Sequence, residues 1–299
     1  MMRRIAGLMV LCLVGLAQTA GHDAKRPEMS GVAFVRISVS DLKTAALFYN
    51  GTLRLPNMQC SENSAKCFFV NPSQQVELSE QTATPSGDRV VAIGIFTKDV
   101  DSLRQYLLAN GQKPDELVTN KLRGISFQIK DPEGRVLEFV QRTGGVAGSI
   151  AGPLPQDMRI VHSGFVVKDR GAMDKFYRDV LGFHVYWHGG MKDGETDWVD
   201  MQVPDGTDWI EYMLNVPANA DKHTLGVMNH IALGVPDVRA AAEQLKRNGV
   251  NLAEEPKIGR DGKWQLNLYD PDLTRVELMG FTPAEKPCCA EYTGAHPKP

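Results

Sequence analysis

The chain is expected to fold as an α+β protein of tandem paired βαβββ modules: four modules in two domains. Three observations predict this. Motifs recur between the halves: "DLKTAALFYN" (Asp41–Asn50) parallels "DRGAMDKFYRDVLGF" (Asp169–Phe183), "DVDSLRQYLLANGQKP" (Asp99–Pro114) parallels "DVRAAAEQLKRNGVNL" (Asp237–Leu252), and "DPEGRVLEF" (Asp131–Phe139) parallels "DPDLTRVELM" (Asp270–Met279). The offsets are 128, 138 and 139 residues, as a tandem duplication with small loop insertions would leave. Each half then divides again. An apolar strand runs through an Asp N-cap into an amphipathic helix, and short alternating strands follow.

The elements follow in order. At the N-terminus, Arg3 and Arg4 precede "IAGLMVLCLVGLA" (Ile5–Ala17) and then small residues. This is the pattern of a secretory signal peptide, assigned to residues 1–20, and it implies a periplasmic or secreted protein. The apolar run is short for a bilayer span, so no membrane partner is expected after cleavage. Residues 31–142 form the first domain and 158–282 the second. Between them "TGGVAGSIAGPLPQD" (Thr143–Asp157) reads as a linker, and residues 283–299 as a flexible tail. In "DVRAAAEQLKRNGV" the apolar Val238, Ala241, Ala242 and Leu245 fall at helical spacing, and Gly249 suits the stop. A half-buried sheet face in every module requires the modules to pair.

Composition narrows the function. With 299 residues, 42% hydrophobic and 23% charged, the chain is an ordinary globular protein, and with a net charge of −3 nothing suggests a nucleic-acid surface. Cys60 and Cys67 flank "SENSAK" and can pair across that loop. Between the adjacent Cys288 and Cys289 a bond would be strained, and their state is left open. No Cys-x-x-Cys pair suggests zinc or redox chemistry.

Chemistry gathers in the second half. His162 lies seven residues before Asp169, and His230 seven before Asp237. Glu211 and Glu277 lie on the last strands of the third and fourth modules. First strands thus offer imidazole and last strands carboxylate, and paired modules can bring all four together. Two nitrogens and two oxygens suit a divalent transition metal. The first half acts as a control: its matching positions are Phe34, Glu77, Ala92 and Glu138, and it has no histidine from Gly31 to Arg142. Core packing therefore does not demand the two imidazoles. Trp187, Trp198, Trp209 and Trp264 all fall in the second half and can wall an apolar pocket. His223 is a candidate acid or base; His184 and His188 are weaker candidates.

These residues resemble the vicinal oxygen chelate superfamily, the glyoxalase, bleomycin-resistance and extradiol-dioxygenase proteins, over about residues 31–281. "MRIVH", "IEYMLN", "NHIALGV" and "DPDLTRVEL" are most similar to glyoxalase I, as are the spacings of 49, 68 and 47 residues within the His/Glu set. The resemblance implies that His162, Glu211, His230 and Glu277 bind Ni, Zn or Mn. It implies a metal-stabilised enediolate, with Glu211 or Glu277 moving a proton on a small oxygen-chelating substrate. Asn215 would contact substrate, beside Trp198, Trp209 and Trp264. Val166 stands where that family has an Arg. Two alternatives stay open. An extradiol-type dioxygenase would use Fe(II) on His162, His230 and Glu277, with His223 as acid–base group, although Asp261 and Asn267 stand where that branch has a His and a Tyr. A resistance-type protein would sequester its ligand without catalysis. A second copy of the chain is the one protein partner held open.

Overall fold

The computed structural model describes residues 25–59, 65–80, 88–120, 123–142 and 157–299. The expected signal peptide, the linker up to residue 156 and Cys60 lie outside them. Among the described residues no helix is long and apolar enough to cross a membrane.

Four modules are observed among the described residues. The first is β1 (Met29–Val39), α1 (Leu42–Ala46, continued by a π-helical turn, Leu47–Thr52), β2 (Asn57–Gln59), β3 (Ala65–Phe69) and β4 (Gln75–Glu80). The second is β5 (Val90–Thr97), α2 (Val100–Ala109), β6 (Val118–Asn120), β7 (Gly124–Lys130) and β8 (Val136–Gln141). The third is β9 (Arg159–Val166), α3 (Arg170–Asp174, continued by Lys175–Val180), β10 (His184–Gly189), β11 (Trp198–Gln202) and β12 (Trp209–Met213). A short helix, α4 (Lys222–Met228), leads to the fourth: β13 (His230–Val235), α5 (Val238–Arg247), β14 (Lys257–Ile258), β15 (Trp264–Tyr269) and β16 (Arg275–Gly280).

The caps explain the helices. Asp41, Asp99, Asp169 and Asp237 each accept a first-turn backbone N–H at the start of α1, α2, α3 and α5. Gly249, at φ +82°, takes the left-handed conformation that ends α5 without a Cβ penalty.

Among the described residues each half forms one eight-stranded sheet, in the orders β2-β3-β4-β1-β5-β8-β7-β6 and β10-β11-β12-β9-β13-β16-β15-β14. In each sheet the first strands of two modules run antiparallel at the centre, and last strands lie parallel beside them. The helix-covered faces of both sheets share one apolar core, which joins residues such as Val35, Leu103 and Phe139 to Phe165, Leu233 and Leu278. The opposite, inner faces keep separate small clusters, one around Phe34 and Ala92 and one around Trp187 and Trp209.

The halves dock reciprocally through the repeated motifs. Tyr49 donates to Asp270 and Tyr177 donates to Asp131. Glu133, in the turn after β7, accepts from the backbone of Lys168 and Asp169, while Asp272 accepts from Ser40. Each Asp-Pro turn thus seats on the strand–helix turn of the other half. Residues 283–299, expected as a flexible tail, instead pack against the inner face of the second sheet.

Candidate metal centre

Two transverse rows of residues cross the second sheet's inner face. One reads Glu211, Gly164, His230, Arg275; the other reads Trp209, His162, Ala232, Glu277. Neighbouring rows on a strand lie two residues apart, which is the period that keeps side chains on one face.

The geometry is tight. The Nε2 atoms of His162 and His230 lie 3.0 Å apart. Glu211 Oε2 lies 2.8 Å from His230 Nε2 and 3.5 Å from His162 Nε2. Both imidazoles are buried, and burial holds both well below the usual histidine range, so both are neutral at neutral pH. Gly164 makes the arrangement sterically feasible: a Cβ there would sit 1.9 Å from Cε1 of His230.

The donor set fits a cation. His230 Nδ1 faces the Met228 carbonyl at 3.4 Å, and assigning its proton there leaves the Nε2 lone pair directed at the cluster. Glu211 offers that lone pair another acceptor, and the His162 nitrogen crowds both. A neutral ring nitrogen can serve as donor or acceptor, not both. A divalent metal at the meeting point would accept all three lone pairs, and neutral imidazoles with an ionised carboxylate are the forms that ligate. Three residues, His162, Glu211 and His230, bring ligand atoms within 4.8 Å of one another.

Glu277 departs from the expected set of four. It lies on the adjoining row and is buried, but it is not part of that convergence. One of its oxygens stands 3.9 Å from Arg275, and the other has no hydrogen-bond partner. Burial, together with repulsion from Glu211, pushes its carboxyl up to about 8 despite Arg275. Arg275 also donates to His230 Nε2 at 2.9 Å, the same lone pair that a bound ion would take over.

The other expected site residues divide. Trp209 stacks on His162 with ring centroids 4.7 Å apart, and Trp198 packs on the same inner-face cluster. Trp264 belongs to the opposite face: it packs on the main core beneath α5, with Arg239 over its ring. The reason is parity, since Trp264 alternates with Gln265 and Asn267, which take the inner side. His223 is exposed in the first turn of α4, its ring against Tyr269, and makes no contact with the His/Glu cluster. Asn215 is exposed beyond β12, at φ +59°, with its amide donating to Asp197 and Thr196. His184 faces Gln202.

Four residues that motif reading passed over complete the inner face: Gly164, Arg275, Asp200 and Lys263. Asp200 is buried directly opposite Glu211, and burial, with repulsion from Glu211, raises its carboxyl well above the ordinary range. Lys263 is fully buried, with Nζ 4.4 Å from the Trp209 ring centroid. Counting two residues back from Glu277 and one strand across from Glu211 would have flagged Arg275 and Asp200.

The first sheet shows the same rows differently filled: Glu77, Arg36, Ala92, Val136 and Gln75, Phe34, Gly94, Glu138. Here guanidinium groups occupy the centre. Arg36 and Arg123 hold Glu77 at 2.8 Å each, and Arg123 reaches Glu138 at 3.6 Å while lying over the Phe34 ring.

Fold and site together define a class: a two-domain protein of paired βαβββ modules, with a buried imidazole–carboxylate cluster on the inner face of one sheet. Residues 159–278 match the Glyoxalase/Bleomycin resistance protein/Dioxygenase superfamily, and this half of the chain is a domain of that superfamily. Over 124 residues, 41% of this chain and 92% of the relative, it is 28% identical to lactoylglutathione lyase of Haemophilus influenzae. It is 27% identical over 124 residues to the lactoylglutathione lyase of Neisseria meningitidis serogroup B, covering 41% of this chain and 90% of that one. Among solved structures, homoprotocatechuate 2,3-dioxygenase from Arthrobacter globiformis superposes with TM-score 0.65 at 20% identity, over 85% of this chain and 80% of that one. The Mn(II)-bound glyoxalase from Novosphingobium aromaticivorans superposes with TM-score 0.64 at 19% identity, over 85% and 83%. These two likenesses show the fold.

Proposed function

We propose that the chain is a metal-dependent enzyme in which His162, Glu211 and His230 hold one divalent ion. On this reading it performs lyase or isomerase chemistry on a small substrate with two adjacent oxygens. The observation that carries the reading is the approach of two neutral imidazole nitrogens and one carboxylate oxygen to within 3.5 Å of one another. The bound ion would act as a Lewis acid, stabilising negative charge that develops on the substrate's oxygens.

The chain's own groups supply the rest. Glu277 stands beside the cluster with an unpartnered oxygen, and in its ionised form it would take a proton from one carbon and return it to the next. Arg275, between His230 and Glu277, offers a fixed positive charge to an anionic substrate oxygen. Trp209 and Tyr186 exclude water from the His162 side.

A second reading is favoured by the count of three. Two histidines and one carboxylate with Glu277 standing apart would leave open positions, the arrangement of non-haem Fe(II) oxygenases. Metal content separates the two. Ni, Zn or Mn without oxygen uptake supports lyase or isomerase chemistry, and Fe(II) with oxygen uptake on catechols supports the other. Absence of any metal, with His162→Ala harmless to ligand binding, would leave a sequestering protein. Export belongs to the same proposal and rests on residues 1–20 alone; N-terminal sequencing of the protein recovered from its native compartment tests it.

A further inference from the structure

Residues 283–299 lie against the inner face beside the candidate metal centre. Ala284 and Cys288 donate backbone hydrogen bonds to Gly262 and Arg260, both at 2.8 Å. Cys288 and Cys289, left open on sequence, are bonded to each other, and Trp187 donates to the Cys288 carbonyl. Further on, Gln202 donates to the Ala295 carbonyl at 2.9 Å, and the Tyr292 hydroxyl donates to the Asp261 carbonyl at 2.7 Å. The segment is therefore anchored at both ends and in the middle.

Its aromatic rings extend a wall that begins at the metal centre. His162 stacks on Trp209, and Trp209 lies 5.1 Å from Tyr186. Tyr186 lies 4.7 Å from Tyr292, and Tyr292 lies 4.8 Å from His296, which also hydrogen-bonds the Tyr186 hydroxyl. On the other side the cluster keeps a partly open edge, where the Glu211 and Arg275 side chains are 13% and 15% exposed.

We propose that Tyr292 and His296 set the size limit of the ligand, so that the site takes a small, unconjugated two-oxygen chelator and rejects one carrying a bulky group. The inference rests on the metal-site reading above and sharpens its substrate class. Beside Trp209 stands the Tyr186 ring, backed in turn by Tyr292 and His296, so a large substituent on that side would have to displace the chain's own rings. A rigid, well-packed wall discriminates by the cost of displacing it, and small ligands entering past Glu211 and Arg275 leave it in place.

The test uses the full chain loaded with Mn(II) and a series of hydroxamates that share one chelating head: acetohydroxamate, benzohydroxamate and a naphthyl hydroxamate. Binding is read from quenching of tryptophan fluorescence. Affinity should fall along the series in the unmodified chain. In Tyr292→Ala/His296→Ala the naphthyl compound should gain at least tenfold, with acetohydroxamate unchanged within twofold. Should that double variant unfold, Tyr292→Leu reads the same gain at smaller amplitude. Identical size dependence in variant and unmodified chain would overturn the wall while leaving the metal site intact. Failure of acetohydroxamate itself to bind would instead remove the chelating site, and the size limit with it.

Discussion

The Tyr49 hydroxyl donates to the Asp270 carboxylate across the two halves at 3.3 Å, and Tyr177 repeats the contact to Asp131 at 3.4 Å. Both tyrosines are fully buried, so each bond stands in for lost hydration. Tyr49→Phe and Tyr177→Phe should each lower stability by about 1 kcal/mol, because backbone N–H groups still satisfy Asp270 and Asp131 in part. Urea denaturation of the single and double variants measures this. The two sites share no partners, so the losses should add.

Gly164 and Gly94 each make room for an inner-face ring, though they stand at different places in the repeated rows, where the other half has Arg36 and Ala232 respectively. A Cβ on Gly164 would meet the His230 ring at 1.9 Å, and one on Gly94 would meet the Phe34 ring at 2.2 Å. Both substitutions to alanine should cost about 1–3 kcal/mol through overpacking. Only Gly164→Ala should also weaken metal binding, by at least about tenfold, because it moves a ligand. Metal titration beside thermal melting separates the two effects.

In the first half, Arg123 should behave as a structural cation. Arg123→Ala strips Glu138 of its guanidinium partner and leaves Glu77 with Arg36 and Gln75. Removing one partner from such a buried ionic group costs about 3 kcal/mol. Loss of that size in melting experiments, with metal stoichiometry unchanged, is expected.

Asp208 predicts a pH dependence. It is buried between the halves, accepts from Val32 N and pairs with Arg159, yet desolvation pushes its carboxyl up from 3.8 to about 6. Its folded value lies above its unfolded value, so its stabilising contribution is complete below the unfolded value and is lost as pH rises through about 6. The loss is on the order of 3 kcal/mol. Asp208→Asn removes the titration. Denaturation curves should therefore move in favour of the variant by that amount between about pH 4 and about pH 7.

How far the sequence carried this account differs between scaffold and site. The four modules were legible because Asp caps, Phe-Tyr pairs and Asp-Pro turns recur at fixed offsets, and each serves a role any sequence must fill to build the unit. His162 and His230 were legible because their counterparts in the first half are Phe34 and Ala92, whereas Glu211 was legible by its place on the last strand of its module, its counterpart Glu77 being the same residue type. The inner-face neighbours were not. Arg275 and Asp200 look like ordinary strand charges until pairing register places them beside His230 and Glu211. Trp264 was read as a pocket residue because tryptophan content alone carries no parity. The role of residues 283–299 was hidden for another reason. A Pro- and Lys-rich segment reads as solvent-loving, and its packing depends on Tyr186 and Trp187 a hundred residues earlier.

The central claim is that the two imidazoles and Glu211 are metal ligands. Its most direct measurement is the metal content of the purified chain by mass spectrometry, with dissociation constants for Mn(II), Zn(II) and Fe(II). The account predicts about one divalent ion per chain, weakened at least about tenfold by each of His162→Ala, His230→Ala and Glu211→Ala. Binding unchanged by all three substitutions, or no stoichiometric metal in the unmodified chain, would contradict it.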